Sequence, residues 1–132
     1  MISLETFKGR LADFPRTELV LSPTPLQRIT RPSTVPPGGD LYIKRDDLTG
    51  LACGGNKGRK LEYIVADALA KEADTIVTWG GVQSNWCLLT AAAAARVGFR
   101  AVLVLLVKPG TATVDDGIVL LDHLCGATVR VL

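Results

Sequence analysis

TIVTWGGVQSNWCLLTAAAAARVGFRAVLVLLV, residues 75–107, carries the strongest structural signal in the chain. Its first five residues are β-branched or aromatic, which predicts a strand over 75–79. The alanine-rich segment 85–97 is followed by Gly98, so we expect a helix that ends at a glycine C-cap. Residues 100–107 are almost entirely apolar, a pattern typical of a strand that is buried on both faces.

The same alternation continues on both sides of this stretch. Upstream, apolar residues recur with the spacing of an amphipathic helix over 57–71: Leu61, Ile64, Val65, Ala68 and Leu69. Downstream, Asp115 and Asp116 suit the positive end of a helix that ends at Gly126, and 128–132 predicts a third strand. Helices that alternate with strands predict a parallel sheet, so the fold class is α/β, as a three-layer α/β/α sandwich.

Residues 1–40 differ from the rest because six of the seven prolines lie there. Proline removes a backbone donor, so only residues 4–12 can form a long helix in this region. We expect the remainder to be an extended arm that ends at the turn signal Pro36-Pro37-Gly38-Gly39, before a short strand over 41–44.

Composition excludes several classes of partner. The formal net charge is only +2 and basic residues alternate with acids, which does not favour nucleic-acid binding. The longest apolar runs are far shorter than the roughly 20 residues that span a bilayer. Three cysteines without CxxC spacing indicate neither a disulfide framework nor a metal site. We therefore expect a cytoplasmic protein with no membrane or nucleic-acid partner.

The segment Gly54-Gly55-Asn56-Lys57 places a lysine just after two glycines, at the start of a predicted helix. The helix dipole and the neighbouring Arg59 and Lys60 both favour the neutral amine, which a Schiff base with an aldehyde cofactor requires. The alternative is an ordinary solvated lysine cluster. A Walker-type phosphate loop is excluded, because Asn56 separates Gly55 from the lysine and glycine follows it.

A second segment, Gly80-Gly81-Val82-Gln83-Ser84-Asn85, connects a predicted strand to a predicted helix. In open α/β sheets, ligands bind at the carboxyl ends of the strands, and free N–H groups at a helix start attract anions. The alternative interpretation is that Ser84 and Asn85 only cap the helix.

Together these segments resemble the D-cysteine desulfhydrase and 1-aminocyclopropane-1-carboxylate (ACC) deaminase family of pyridoxal-phosphate (PLP) enzymes. The similarity runs from about Phe14 to Leu132 and is carried by these motifs: Pro23-Thr24-Pro25-Leu26, LYIKRDDLTG at 41–50, GGNK at 54–57, RKLEY at 59–63, ADAL at 66–69, GVQSN at 81–85, the alanines of 91–95, and 117–127. The resemblance implies a fold-type-II PLP enzyme.

The resemblance also implies roles for individual residues. Lys57 would bind PLP covalently and later move the proton of the substrate's Cα. Asn85 would hydrogen-bond the cofactor's ring hydroxyl oxygen, with Asn56 and Lys60 as further cofactor-binding candidates. Ser84 would be catalytic or would bind the substrate carboxylate, with Gln83 and Asn85 beside it. The substrate would be a small amino acid, such as D-cysteine, ACC or cysteate.

The chain also departs from the family pattern. Trp86 and Ile118 replace residues that are commonly polar, so Trp86 either reshapes the substrate pocket or packs on its helix. By resemblance, residues 1–50 form an arm of the large cofactor domain and 51–132 the first part of the small α/β domain. The phosphate cup, the partner of the pyridine nitrogen and a substrate-facing tyrosine would lie beyond Leu132.

A chain that lacks those parts would have little activity alone, and the full-length enzyme would be a homodimer. Two other functions remain open from the sequence. One is a non-catalytic remnant or interaction module that keeps the fold. The other is a nucleotide-binding α/β domain, against which the absence of GxGxxG after a strand counts.

Overall fold

Four helices and five strands, together with one short 3-10 helix, make up the described parts of the chain, and helices and strands alternate from α2 onwards. The computed structural model describes residues 2–30, 38–108 and 116–132. In chain order the elements are α1 (Leu4–Ala12), β1 (Leu26–Arg28), β2 (Tyr42–Lys44), a 3-10 helix (Asp46–Leu48), α2 (Gly58–Ala70), β3 (Thr75–Gly81), α3 (Asn85–Val97), β4 (Arg100–Leu106), α4 (Gly117–Leu124) and β5 (Thr128–Val131). The turn predicted at Pro36-Pro37 and the carboxylate of Asp115 lie outside the described ranges.

Strands β3, β4 and β5 form the parallel sheet that the alternating pattern predicted, in the order β3-β4-β5. Ile76 pairs with Ala101, and Leu103 pairs with Val129. Because each crossover joins neighbouring strands in sequence, right-handed connections place α3 and α4 on the same face of the sheet. The α/β class with a parallel sheet is therefore confirmed.

Helix α3 organises the core because it is buried on two sides. Towards the sheet, Cys87, Ala91 and Ala94 pack against Leu103 and Leu105 of β4. On its other side, three α3 residues pack against α2 and the arm in a second cluster: Leu88, Leu89 and Ala93, against Leu61, Val65 and Leu19. The small alanine side chains let α3 approach its neighbours closely on both sides.

The opposite face of the sheet carries no helix among the described residues. Val77 is 67% exposed and Trp79 is 68% exposed on β3, while Val102 and Val104 of β4 are half-buried. The prediction that β4 is buried on both faces is therefore right for the face towards α3 and wrong for the other face in this chain. No helix in the described ranges combines the length and apolar character that crossing a membrane requires.

The N-terminal arm is more ordered than its prolines suggest. Strand β1 pairs antiparallel with β2, with Gln27 opposite Ile43, whereas the sequence predicted only extended chain for β1. Glu62 of α2 anchors the preceding segment. Its carboxylate accepts hydrogen bonds from Nε of Arg16 at 2.7 Å and from the N–H groups of Leu19 and Val20 at 3.1 Å each.

Candidate functional site

The two glycine-containing segments meet at one end of the parallel sheet. A Cβ added to Gly55 would lie 2.8 Å from Nδ2 of Asn85, well inside van der Waals contact. Gly55 has φ of +122°, a backbone conformation that side chains larger than hydrogen rarely tolerate. Glycine at position 55 therefore allows the loop before Lys57 to lie directly against the first residue of α3.

A cavity of about 620 Å³ opens beside this contact. Its wall includes Gly54, Gly55 and Asn56 from the first loop and Asn85 from the second, with Ile43, Lys44, Asp46, Asp47 and Cys53 completing it. Asn56 and Asn85, two predicted cofactor-binding residues, thus face one space. Cys53 and the strand end at Ile43 and Lys44 were not predicted, since a single cysteine and a short strand carry no site signal of their own.

Lys57 lies at the junction between the first loop and α2. It is the N-cap residue of α2, and its carbonyl accepts the first helical hydrogen bonds, from the N–H groups of Lys60 and Leu61. Its side chain is half-buried, whereas Lys60 on the first turn is exposed. Neither lysine is among the residues that line the 620 Å³ cavity. Lys57 nevertheless follows directly after Asn56, which lines that cavity.

An ion pair that was not predicted from the sequence joins the segment 46–49 to the start of α2. Asp46 binds Arg59 of α2 through two hydrogen bonds of 3.0 and 2.7 Å and accepts a third, of 2.7 Å, from the hydroxyl of Thr24. The bonds from Arg59 and then Thr24 hold the pKa of the Asp46 carboxyl well below its usual range. Asp47 instead pairs with Arg45, so the two adjacent aspartates do not form one acid–base pair.

Ser84 caps α3, as the alternative interpretation held. Its hydroxyl oxygen accepts a hydrogen bond of 3.3 Å from the N–H of Cys87. It also lines a second depression, of about 520 Å³, together with Gly81, Val82 and Gln83 and with residues 106–108 at the end of β4. Capping and exposure to a ligand are compatible, because the hydroxyl can still donate its own proton.

Gln83 connects the second loop to α4. Its Oε1 accepts a hydrogen bond of 3.1 Å from the N–H of Ile118, in the first turn of that helix. Asp116, the N-cap residue of α4, makes no capping hydrogen bond with its own side chain. The side-chain oxygen of Gln83 is therefore engaged by the protein, even though Gln83 lines the depression.

Trp86 packs within the fold. Its indole Nε1 donates a hydrogen bond of 2.8 Å to Oγ1 of Thr78, and its ring contacts both core clusters. Of the two alternatives for this departure from the family pattern, the structure supports packing. Cys87 is a fully buried thiol, the environment typical of a free cysteine that packs as a small apolar residue.

The geometry of this region defines a class of protein. It is an α/β protein with a candidate ligand site at the carboxyl end of parallel strands, where a half-buried lysine begins a helix beside a glycine-lined loop. The residues present fit an aldehyde cofactor such as PLP. A Cβ on Gly54 would overlap the carbonyl oxygen of Asp47, and one on Gly55 would lie 2.8 Å from Nδ2 of Asn85, so both glycines let the loop pack closely against its neighbours. Asn85 lines the cavity and offers an amide donor for a polar ring substituent.

Comparison with known proteins identifies the family. The "Pyridoxal-phosphate dependent enzyme" family matches residues 17–132. The chain is 49% identical over 121 residues to a putative 1-aminocyclopropane-1-carboxylate deaminase of Pyrococcus horikoshii, covering 92% of this chain and 36% of that protein. It is 54% identical over 95 residues to a D-cysteine desulfhydrase of Salmonella paratyphi A, covering 72% of this chain and 29% of that protein.

Solved structures agree. An ACC deaminase homologue matches with a TM-score of 0.81 at 44% identity, over 99% of this chain and 38% of that one. An O-ureido-L-serine synthase matches with a TM-score of 0.65 at 26% identity, over 83% of this chain and 32% of that one. The chain belongs to the pyridoxal-phosphate dependent enzyme family, which confirms the predicted resemblance, the fold type and the cofactor. It spans between 29% and 38% of the length of these relatives.

Proposed function

We propose that this chain carries the cofactor-binding lysine, Lys57, of a PLP-dependent lyase or deaminase that acts on a small amino acid. The observation that supports this most directly is the approach of Asn85 to Gly55. It brings Asn56 of the lysine loop and Asn85 of the second loop to the same cavity, whereas Ser84 lines a separate depression, so one molecule in the cavity can contact both asparagines.

Each candidate residue then has a specific task. Bound PLP supplies an electron sink for the electrons left when a bond to the substrate's Cα breaks. The amine of Lys57 holds the cofactor and then moves a proton at Cα. Asn85 donates from its amide to the ring hydroxyl oxygen, and Asn56 and Lys60 provide polar and positive surroundings for the same ring.

Substrate binding falls to the second loop. Ser84 can donate its hydroxyl proton to a carboxylate, and the start of α3 beside it favours an anion because N–H groups point outwards there. Asn85 contributes from the same turn, and Gln83 forms part of the wall of the depression. If the protein is a deaminase, Ser84 would also act as a nucleophile, as the family resemblance implies.

The relatives suggest two substrates. A D-cysteine desulfhydrase would release pyruvate, sulfide and ammonia from D-cysteine, and an ACC deaminase would release 2-oxobutyrate and ammonia from ACC. The second candidate function is a non-catalytic remnant that keeps the fold. It is favoured only by the short span of the chain relative to these enzymes.

The assembly that we propose follows the family resemblance. Residues 1–50 would belong to the large cofactor domain and 51–132 to the small one, in a cytoplasmic homodimer. The separate pairing of β1 with β2, outside the three-stranded sheet, is consistent with that division.

A labelling experiment tests the proposal in the polypeptide that contains this chain, expressed at its full encoded length. After incubation with PLP and reduction with borohydride, we expect a pyridoxyl group on Lys57 by peptide mass spectrometry. Lys57→Ala should lose the label, and Lys71→Ala, at the exposed end of α2, should retain it. No label at position 57 in the unaltered protein would overturn the proposal.

Substrate choice is tested in the same preparation. The protein is assayed with D-cysteine, ACC and cysteate, and sulfide, ammonia and 2-oxo acids are measured. Turnover of any of the three that is lost in Lys57→Ala supports an enzyme. Full labelling of Lys57 without turnover of any of them would favour the non-catalytic remnant.

A further inference from the structure

A buried hydroxyl lies directly behind the glycine loop. Thr49 is fully buried, and its Oγ1 accepts a hydrogen bond of 3.0 Å from the N–H of Gly55. The hydroxyl proton has two carbonyl acceptors, those of Gly55 and Asp46, each at 3.1 Å. Thr49 therefore contacts both polar groups of the Gly55 backbone with one side-chain atom.

Asp46, in the same segment as Thr49, hydrogen-bonds the chain on both sides of Lys57. On the N-terminal side, the carbonyl of Asp46 accepts a further hydrogen bond of 2.7 Å from the N–H of Gly55. On the C-terminal side, the carboxylate of Asp46 binds Arg59. Residues 55 and 59 are thus both tied to the segment 46–49, with the lysine between them.

Gly55 needs such support because nothing intrinsic holds it in place. Its φ of +122° lies in a region that glycine visits without preference, so the loop gains little from local propensity. The opposite side of the same residue faces the amide of Asn85. A shift of Gly55 would therefore change the distance between Lys57 and Asn85, the two residues proposed to hold the cofactor.

We propose that Thr49 is a positioning residue for the cofactor site, which fixes Gly55 through its hydroxyl and so sets the place of Lys57 relative to Asn85. The role rests on the proposed function but is tested separately from it. Thr49 touches neither cofactor nor substrate; it acts through the backbone of Gly55.

Two substitutions at position 49 separate the hydroxyl from the packing of the side chain. Thr49→Val keeps the shape and removes the hydroxyl, whereas Thr49→Ser keeps the hydroxyl and removes a methyl group. A matched control is Thr90→Val, because Thr90 is also fully buried and, within the described parts of the chain, its hydroxyl bonds only the carbonyl of Trp86 in α3, at 2.8 Å.

The measurements use the full-length polypeptide: PLP affinity from the visible absorbance of the bound cofactor, borohydride labelling of Lys57, and the unfolding temperature without cofactor. We expect about tenfold weaker PLP binding in Thr49→Val, because the Gly55 carbonyl loses its hydroxyl donor while the Gly55 N–H keeps only the Asp46 carbonyl. Thr49→Ser should bind within about twofold of the unaltered protein, and Thr90→Val should bind normally at a lowered unfolding temperature.

The ranking of the two variants decides the outcome. If Thr49→Ser binds PLP more weakly than Thr49→Val does, the packing of the side chain and not its hydroxyl determines PLP affinity, which overturns the proposal. Equal loss in Thr49→Val and Thr90→Val would also overturn it, since a general loss of stability would then explain both. Should Thr49→Val fail to fold, weakened binding in Thr49→Ser at an unchanged unfolding temperature contradicts the role, and normal binding supports it. Absence of the label in unaltered protein concerns the proposed function instead.

Discussion

The amide nitrogen of Asn85 and the Cα of Gly55 approach so closely that no side chain can stand between them. A Cβ at Gly55 would be 2.8 Å from that nitrogen, a distance that Cβ atoms do not adopt without displacement of a neighbour. Thirty residues of sequence separate the two, yet their contact brings the lysine loop to the start of α3. The candidate site exists because position 55 has no side chain.

Gly55→Ala is therefore expected to impair cofactor binding. The methyl group must displace Asn85 or the loop, and alanine also resists φ of +122°. We expect PLP affinity to fall by at least about tenfold, since a strained residue costs on the order of 1–3 kcal/mol. Absorbance titration of the full-length polypeptide measures this.

The control for that substitution is Gly126→Ala. Gly126 also has a positive φ, of +77°, but a Cβ there meets nothing within 4 Å. Gly126→Ala should lower the free energy of unfolding and leave PLP affinity unchanged. Similar PLP affinities in the two variants would show that the contact with Asn85 is not what matters at position 55.

Glu62→Gln should destabilise the attachment of the arm to α2. Burial raises the pKa of Glu62, but the hydrogen bonds from Arg16, Leu19 and Val20 outweigh it, so the net pKa is lowered. Because the pKa of Glu62 is lower in the folded state, the ionised carboxylate stabilises the fold at pH values above the pKa of the unfolded state, near 4.5. This contribution is lost as the pH falls below that pKa.

We expect Glu62→Gln to lower the free energy of unfolding by about 2 kcal/mol at pH 7, the typical value of hydrogen bonds to a charged group. Urea unfolding at pH 7 and again at acidic pH measures it, and the difference from the unaltered protein should shrink in acid. Glu5→Gln on exposed α1 is the control and should change little. A loss that stays constant with pH would rule out the carboxylate as its source.

The helices and strands whose ends are determined by nearby residues were predicted correctly from the sequence. The bounds of α3 were predicted to the residue, because Ser84 caps its start and Gly98, at φ of +80°, ends it. Strand β1 was missed because the strand with which it pairs, β2, is distant in sequence and the prolines around β1 favour irregular chain. Pairing between distant segments has no local signature.

The same distinction holds for the candidate site. Glycines, a lysine and a Ser-Asn pair indicated which loops carry it, since each residue type has its own chemistry. The contacts that Thr49, Asp46 and Arg59 make were not predicted, although all three lie in motifs that carry the resemblance, because such contacts depend on which backbone and side-chain groups the fold brings within reach. The resemblance to a family supplied the cofactor, which spacing alone left open.

Gln83 offers a test of whether a side chain of the second loop acts on substrate or on the fold. Its Oε1 caps α4 by accepting from the N–H of Ile118. Gln83→Glu keeps an acceptor there and adds a charge that suits a helix start, so stability should hold or rise. Gln83→Leu removes the acceptor and should cost about 1 kcal/mol.

Substrate kinetics complete this test. If the amide of Gln83 donated to a substrate carboxylate, Gln83→Glu would raise KM far more than Gln83→Leu, because a carboxylate repels another. We instead expect the leucine variant to be the more impaired in kcat/KM, as the loop loses its attachment to α4. Thermal unfolding and steady-state assays of both variants distinguish the two roles.

The buried carboxyl group of Asp122 is expected to make the fold less stable as the pH rises. It is fully buried on α4, and neither carboxylate oxygen has a hydrogen-bond partner among the described residues. Burial raises its pKa to about 6, with His123 opposing this, while Cys87 and Cys125 lie near enough to feel its charge. A raised pKa means that the folded state prefers the protonated acid, so stability is lost as pH rises from about 4 to about 6.

The neutral isostere should remove this dependence. The shift from 3.8 to about 6 corresponds to a loss on the order of 3 kcal/mol in the unaltered protein at pH 7. Asp122→Asn should therefore be more stable than the unaltered protein at pH 7 and similar to it at pH 4, by urea unfolding at both values. Asp13→Asn, at an exposed position, should show no such crossover. If Asp122→Asn were the less stable protein at pH 7, the carboxylate would have to be bound in the folded chain, because only a bound charge could offset its burial.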